Sequence, residues 1–449
     1  MNHVSRTIAL GFASALAAGL VSAENGLPEV TSVTMSQGAH RLVTIQYTLE
    51  NAPAIVTVDV KTNAMVNGAS TWLSIGGEHI WNAEGDVWKK VGTAGGAFNG
   101  TITWRPDLSW TDAQGNGFTA RNAKVEVTAW PLYNKPDYMV VDLTLADATD
   151  KETYYPSADF LPGAECGQKD AVVSNDIYKT THLVMRKIMA KGITWTMGNN
   201  GSASPWREVT LTNNYYMGVF EATQAQWYRI KGAWFDSWFT AERARRPVEQ
   251  VTYNAVRMSS NYSWGSYTGA WPEPPYSGSF LGQLNTKTGL DFDLPSTAQW
   301  EFACRAGHGD GYWNDGLSTA VSDGYHLGRF KDNGGVTAST GAQPPYNTLP
   351  GDGGTDIVGR HAPNSWGLYD TLGNVSELCL NNGTENDGHG TPKVIVPTTA
   401  GFVAARGGSF NSNATESTPV KNDARYVDGS SNYKSYSVGF RVMCRAGLD

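Results

Sequence analysis

The chain has 449 residues, a formal net charge of −8 and only 17% charged residues, with 40% hydrophobic and 11% aromatic residues. This composition is typical of a folded protein of two or three domains, and its 50 glycines favour β-rich or loop-rich structure over helical bundles. No cluster of basic residues predicts nucleic-acid binding.

The first 23 residues have the organisation of a secretory signal peptide. Arg6 lies in a short leading segment, an apolar run follows from about 8 to 20, and small residues at 21–23 provide a cleavage site. No later segment approaches the ~20 apolar residues that span a bilayer. We therefore expect a secreted or periplasmic protein without membrane insertion.

Residues 27–147 alternate between apolar and polar residues in short runs bounded by Gly, Asn, Asp or Pro. The runs are VTSVTMS, LVTIQYTLE, AIVTVDVKT, GTITWRP, AKVEVTAWP and YMVVDLTL. This pattern predicts an antiparallel β-sandwich that resembles fibronectin type III or immunoglobulin-like modules. No group of residues here indicates chemistry, so a spacer or adhesion role is expected.

Residues 148–175 are rich in Pro, Gly and acidic residues and predict a linker. This segment contains Cys166, and the other cysteines are Cys304, Cys379 and Cys444. Four cysteines in an exported chain permit two disulfides in three pairings, or buried thiols.

Residues 176–449 form the second predicted domain, which is mixed α+β and irregular. THLVMRKI and ITWTMG favour strands, ATQAQWYRI has the apolar spacing of a short helix, and STAQWEFACRA predicts a helix capped by Ser296. Long Gly- and Pro-rich loops, such as 307–364, are usually functional or held by a metal or disulfide.

Seven pieces of this second domain resemble, in order, the formylglycine-generating enzyme family, also called the sulfatase-modifying factor domain. They are ITWTMGNN, YYMGVFEATQAQWYRI, RPVEQVTYNAVR, DLPSTAQWEFACRAG, VGRHAPNSWGLYDTLGNVSELCLN, ARGGSF and VGFRV. The resemblance implies a compact, loop-rich variant of the C-type-lectin-like fold. It does not extend to the predicted β-sandwich.

The enzymes of that family oxidise a sulfatase cysteine to formylglycine with a copper ion held by two cysteines just after the Gly-Gly-Ser element. The matching positions here are Ser412 and Ser417. Cu(I) takes thiolate or thioether ligands, which hydroxyls do not replace. Ser376 also stands where the family has Trp in GNVWEW. Both differences argue against copper and against the family's oxidase activity.

The resemblance implies a structural calcium site in the turn DTLGNVSE. Its ligands would be the carboxylates of Asp370 and Glu377 and the carbonyls of Gly373 and Val375. Hard oxygen donors in a glycine-containing turn suit Ca²⁺. The alternative is a turn with solvated acids.

The segment 411–437, between ARGGSF and VGFRV, combines Ser, Asn and Tyr with a few charged residues. Tyr supplies rigid amphipathic area and Ser and Asn supply hydrogen bonds, as on adaptable binding surfaces; the alternative is a solvated loop. The predicted ligand-binding residues are Asn411, Ser412, Asn413, Lys421, Arg425, Tyr426, Asn432, Tyr433 and Tyr436.

The main hypothesis is a secreted, non-catalytic member of the family that binds an unidentified protein, peptide or glycan through this segment. One alternative is a divergent enzyme that modifies an exported protein such as a sulfatase, with a site at Ser409, Ser412, Arg425 and Tyr426. A serine nucleophile would need a base from elsewhere in the chain, because no His lies in 391–449. A further alternative is a variable ligand-binding protein of a diversity-generating retroelement, which resembles this chain in the same segment.

Overall fold

The computed structural model describes residues 26–111, 114–118, 120, 122–145, 151–163, 171–198, 207–259, 274–307, 326–334, 353–380, 404–413, 422–423, 434–445 and 447. Across these ranges, no helix has both the length and the apolar character that crossing a membrane requires.

Strands predominate in the described residues and the helices are short. The strands are β1 Glu29–Gln37, β2 Val43–Glu50, β3 Ala54–Val66, β4 Ala69–Ser74, β5 Glu84–Gly85, β6 Lys90–Val91, β7 Phe98–Trp104, β8 Ala123–Trp130, β9 Tyr138–Asp142, β10 Glu152–Tyr155, β11 His182–Ile188, β12 Thr194–Met197, β13 Arg207–Thr210, β14 Tyr215–Gly218, β15 Phe292–Asp293, β16 Ser376–Leu378, β17 Ala405–Arg406, β18 Asn422–Asp423, β19 Val438–Phe440 and β20 Met443–Cys444. The helices are α1 Pro106–Ser109, α2 Ala171–Ser174, α3 Ile177–Thr180, α4 Gln224–Lys231, α5 Tyr253–Val256, α6 Phe280–Thr288 and α7 Thr297–Cys304.

The N-terminal part consists of two antiparallel sheets. One has the order β1-β2-β7-β5, and in the other β3 pairs with β4, β6 and β8. The alternation read from the sequence is visible in β2, where Val43, Ile45, Tyr47 and Leu49 are buried and the residues between them are not. Period-2 burial directs one face of each strand into the core.

The sixth predicted run, YMVVDLTL, belongs to a different sheet. It forms β9, which pairs with β11 in the antiparallel six-stranded sheet β10-β9-β11-β14-β20-β15. The segment 148–175, predicted as a linker, contributes β10 to the same sheet. Four consecutive buried residues at 138–141 explain the placement, because a strand covered on both faces has a continuous apolar run.

The hydrophobic core is continuous between the N-terminal sheets and the six-stranded sheet. Val56 and Trp88 share one buried cluster with Val184 and Phe220. The backbone N–H of Tyr154 also donates to the carbonyl of Trp88 at 2.7 Å. The two parts are therefore packed against one another through apolar side chains.

The rest of the chain is mixed and rich in loops, and both helices predicted here are present. Thr223 caps α4 and Ser296 caps α7. In each cap the side-chain hydroxyl accepts from the backbone N–H of the Gln three residues later, and the side chain of that Gln accepts from the backbone N–H of the capping residue. These capping boxes satisfy amide groups that would otherwise lack partners at each helix start. A small sheet, β18-β17-β16-β19, contains the parallel pair β16–β19 and brings the GNVSEL and VGFRV segments together.

We expect strands β9 and β10 to be required for stability of the C-terminal part. A fragment of residues 137–449 should be more stable than one of residues 176–449 by about 5 kcal/mol, since Met139, Val141 and Tyr154 are buried and each contributes about 1.5–3 kcal/mol. Urea unfolding followed by circular dichroism measures the difference. Equal midpoints for the two fragments would contradict this view of the six-stranded sheet.

Candidate functional site

Arg441 of the VGFRV segment is the centre of the C-terminal part. Its guanidinium is fully buried and donates to the carbonyls of Gly218, Val219 and Tyr369 at 2.7–2.9 Å. It also forms a bidentate ion pair with Glu377, in which Nη2 lies 2.6 Å from Oε1 and Nε lies 3.0 Å from Oε2. Burial by itself lowers the pKa of Arg441, but the Glu377 carboxylate more than offsets this and the pKa is raised overall.

Glu377 therefore has two partners before any metal is considered. Besides Arg441, the indole Nε1 of Trp300 in α7 donates to its Oε2 at 2.6 Å. A carboxylate has about four lone-pair positions, so these donors occupy most of its acceptor capacity. The residue predicted as a calcium ligand thus joins strands β16 and β19 to helix α7.

The turn 370–377 lies over a second buried carboxyl group. Glu221 accepts from the side chain of Asn374 at 2.6 Å and from the backbone N–H of Val375 at 3.0 Å. Burial, followed by the charges of Asp370 and Glu377, raises the pKa of Glu221 well above its ordinary value. The guanidinium of Arg441 lies near three buried acids, Glu221, Asp370 and Glu377, and is hydrogen-bonded to Glu377.

Asp370 is the member of the turn that best fits a cation ligand. Its backbone is left-handed, with φ of 52°, and its Oδ2 accepts from the N–H of Gly359 at 2.6 Å. Its Oδ1 is buried and accepts no hydrogen bond from the described residues. Burial raises the pKa of this carboxyl group above its ordinary value, and a cation bound to Oδ1 would offset that cost.

The fit to calcium is therefore unequal among the four predicted residues. Asp370 offers an unsatisfied hard oxygen, whereas Glu377 is engaged by Arg441 and Trp300. In the described part of the chain, no three His, Cys, Asp or Glu side chains surround one metal position. A calcium ion here would depend on Asp370 and on carbonyls such as those of Gly373 and Val375.

The ARGGSF segment begins with β17 and continues into a tight buried turn. Arg406 pairs with Glu301 at 3.1 Å, and Gly407 and Gly408 both have positive φ. At Gly407 a Cβ atom would lie 2.9 Å from the carbonyl oxygen of Thr371. The sequence therefore needs glycine here both for backbone conformation and for close approach to the turn 370–377.

The serines that follow are part of this turn. Ser412 is 4% exposed, its Oγ accepts from the N–H of Ser409 at 3.2 Å, and the two hydroxyl oxygens lie 3.3 Å apart. The carbonyl of Ser412 accepts from the N–H of Lys331 at 2.9 Å. Ser412, predicted to contact a ligand, thus has its hydroxyl directed into the turn, while Asn411 and Asn413 are half-buried beside it.

Aromatic residues connect this turn to the closing strand. Phe410 packs edge-on against Phe239 at 5.2 Å, and Tyr436 lies 5.9 Å from Phe410 and 6.4 Å from Trp238. Trp238 is 38% exposed. The described residues include four of the predicted ligand-binding residues, Asn411, Ser412, Asn413 and Tyr436. Outside the described residues lie the other five, Lys421, Arg425, Tyr426, Asn432 and Tyr433, together with Ser417.

Sequence reasoning did not identify the loop 233–250 as part of this face. Its signal was present as AWFDSWF, a dense aromatic run outside any predicted helix. Glu249 fixes this loop, because its two carboxylate oxygens accept from the backbone N–H groups of Trp238 and Phe239, both at 3.0 Å. Burial raises the pKa of Glu249 to about 7 even though those hydrogen bonds act to lower it.

A family model and several known proteins match this chain. The model described as the sulfatase-modifying factor enzyme 1-like domain matches residues 176–446. The chaperone protein LppX of Paenibacillus barcinonensis is 27% identical over 185 residues, which are 38% of this chain and 64% of that protein. The chain therefore spans less than two thirds of the length of this relative.

Solved structures also match over more than half of this chain. Variable protein 1 of Treponema denticola has 19% identity and a TM-score of 0.42, covering 59% of this chain and 96% of that one. PvdO from Pseudomonas aeruginosa has 18% identity and a TM-score of 0.41, covering 58% and 94%.

Calcium should raise the melting temperature of the protein, and a chelator should lower it, because the ion would satisfy Asp370. Calcium at 100 times its Kd adds about 2.7 kcal/mol to the free energy of unfolding. Asp370→Asn keeps the left-handed backbone accessible and should abolish the response, whereas the exposed Asp236→Asn should retain it. A wild-type melting temperature that is indifferent to chelator would remove the calcium assignment.

Glu249 should make the protein less stable as the pH rises from about 5 to 8. The folded state keeps the Glu249 proton up to about pH 7, whereas the unfolded chain releases it near 4.5. Ionisation therefore favours unfolding across this window, by up to about 3 kcal/mol. Urea titrations at both pH values should show a smaller loss in Glu249→Gln, and identical losses would show that Glu249 is not the group responsible.

Proposed function

Since this chain belongs, through residues 176–446, to the sulfatase-modifying factor enzyme 1-like family, we propose that it is an exported, non-catalytic member that binds a ligand or partner through the face around residues 411–437. The family match also confirms the fold predicted from the sequence, a loop-rich α+β unit of the C-type-lectin-like kind after a β-rich region.

The buried serine turn carries this proposal. Ser409 and Ser412 have exposures of 0% and 4% and direct their hydroxyls at each other and at backbone N–H groups of the turn. Neither hydroxyl is hydrogen-bonded to a His, Asp or Glu among the described residues. A serine nucleophile needs an adjacent base, so the pair is better suited to holding the turn than to catalysis.

The cysteines within the described residues do not replace the missing copper ligands. Cys304, Cys379 and Cys444 are all buried among apolar side chains. Burial raises the pKa of the Cys304 thiol to about 12, whereas Cu(I) binding in proteins depends on accessible thiolate or thioether sulfur. This supports a role without copper.

The composition of the face favours binding. Trp238 and Tyr436 provide partly exposed rings over a rigid base formed by Phe239 and Phe410. Tyr and Trp are enriched among the residues that contribute most to protein interfaces. The LppX relative is named a chaperone protein, and a protein that binds other proteins is consistent with this use of the face.

The decisive experiment asks whether the protein oxidises a sulfatase-type cysteine. The purified protein is incubated with a Cys-x-Pro-x-Arg peptide, with and without copper, beside an active formylglycine-generating enzyme as the positive control. We expect mass spectrometry to show no aldehyde with this chain. Conversion of the cysteine would overturn the non-catalytic proposal and favour the divergent enzyme.

A further inference from the structure

A cavity of about 250 Å³ opens between the two sheets of the N-terminal part. It lies far along the chain from the face around 411–437, and its lining includes Trp104, Trp110 and Phe118. Trp104 and Trp110 are stacked at 6.3 Å with 28° between their planes, and Phe118 lies 5.7 Å from Trp110. The three rings form a continuous aromatic wall that ends at Phe118, which is 47% exposed.

The aromatic wall is held rigidly. The indole Nε1 of Trp104 donates to the carbonyl of His79 at 2.9 Å. The N–H of Phe118 donates to the carbonyl of Trp110 at 3.1 Å, and Thr111 forms a bridge with Gly117. Trp110 and Phe118 are thus fixed at the two ends of one closed turn, which reduces the entropy lost when a ligand packs on them.

A cationic group lines the same cavity, close to the end of the aromatic wall. Arg41 lines it together with Gln37 and Asp107. Both carboxylate oxygens of Asp107 are engaged by Arg105, at 2.8 and 2.6 Å. The Arg41 guanidinium, by contrast, makes no ion pair or side-chain hydrogen bond within the described part of the chain.

The backbone around Arg41 is unusual for a surface loop. His40 and Arg41 both have left-handed conformations, with φ of 55° and 56°, which cost free energy in residues other than glycine. A Cβ at Gly117 would lie 2.2 Å from Nη1 of Arg41, so a side chain there would displace the guanidinium. The fold therefore places this cation beside the aromatic wall at some cost.

We propose that this cavity binds one uronic-acid ring of an acidic polysaccharide. The flat wall of Trp104, Trp110 and Phe118 matches the apolar face of a pyranose ring. The guanidinium of Arg41 matches a carboxylate with two parallel hydrogen bonds. The side-chain carbonyl of Gln37, whose Nε2 donates to the carbonyl of Arg41 at 3.4 Å, can accept from a ring hydroxyl. The binding is reversible and involves no covalent step.

The size and charge of the cavity indicate which class of ligand it can bind. Its volume is below the roughly 300–1,000 Å³ of sites that hold drug-sized ligands, so it suits one ring and not a helix of a partner protein. The Arg41 guanidinium lies near Asp107 but forms no ion pair or side-chain hydrogen bond within the described residues, and its charge favours an anionic ring over a neutral one. A free aromatic acid would also pack on the rings and pair with Arg41. The experiment below therefore includes benzoate as a competitor, to distinguish an aromatic acid from a sugar acid.

Native affinity electrophoresis of the full-length protein tests the proposal. Gels contain polygalacturonate, alginate or neutral dextran, and benzoate is added as a competitor in a parallel set. We expect retardation by at least one acidic polymer, none by dextran, and no release by benzoate. Trp110→Ala and Arg41→Met should each weaken the affinity by about ten-fold or more, as expected for losing a charge-assisted hydrogen bond or an aromatic contact.

Two further variants test whether the polymer binds in the cavity. Gly117→Ala should displace the Arg41 guanidinium without removing it and weaken binding comparably, while circular dichroism shows an unchanged fold. Trp72→Ala removes another exposed indole of the same region, which lies beside Lys124 at 5.3 Å, and should bind like wild type. These variants lie outside the face around 411–437, so the outcome does not depend on the function proposed for that face.

Three results would overturn the proposal. The first is no retardation of the wild type by either acidic polymer, and the second is equal retardation by dextran. The third is loss of binding in Trp72→Ala to the same degree as in Trp110→Ala, which would indicate non-specific adsorption. Release by benzoate would overturn the assignment of the ligand as a sugar acid.

Discussion

The ion pair between Arg441 and Glu377 is the interaction on which the C-terminal part depends. Both groups are buried, and a charge removed from water is tolerated only when its hydrogen bonds are met. Arg441 meets this condition by bonding to carbonyls on two separate segments as well as to Glu377. Loops with little regular structure are thereby fixed to the strand pair β16–β19. The turns 370–377 and 407–412 are joined separately by backbone hydrogen bonds, from Gly373 N–H to the carbonyl of Gly407 and from Phe410 N–H to the carbonyl of Asn374, both at 2.9 Å.

This constraint explains how the family's frame forms around Ser409 and Ser412. Gly407 must be small because the turn 370–377 passes close to it, and the serine turn is held by its own hydroxyl and backbone bonds. These requirements concern packing and backbone conformation. They apply equally to a chain with cysteines after the Gly-Gly-Ser element and to a chain with serines there. A fold of this kind carries its function in the residues placed on it, and the function proposed above rests on the aromatic and polar side chains beside Tyr436.

Local signals in the sequence predicted much of this structure. Apolar–polar alternation predicted β1, β2, β3, β7 and β8, apolar spacing predicted α4, and the cap at Ser296 predicted α7. Such signals are local because they depend on side-chain period and on bonds within one turn. The placement of β9 and β10 in the six-stranded sheet was missed, because strand pairing depends on partners distant in the chain. The contact between Trp238 and Tyr436 was missed for the same reason.

By itself the sequence determined the order of the elements, the resemblance to the sulfatase-modifying family, and the presence of Ser412 and Ser417 where that resemblance implies copper ligands. Only the tertiary structure decided that Glu377 faces Arg441, that Asp370 keeps an unsatisfied oxygen, and that Arg41 lines the same cavity as an aromatic wall. The physical reason is that residue types and their spacing specify which bonds a side chain can form. Burial and the approach of distant segments determine which of those bonds are made.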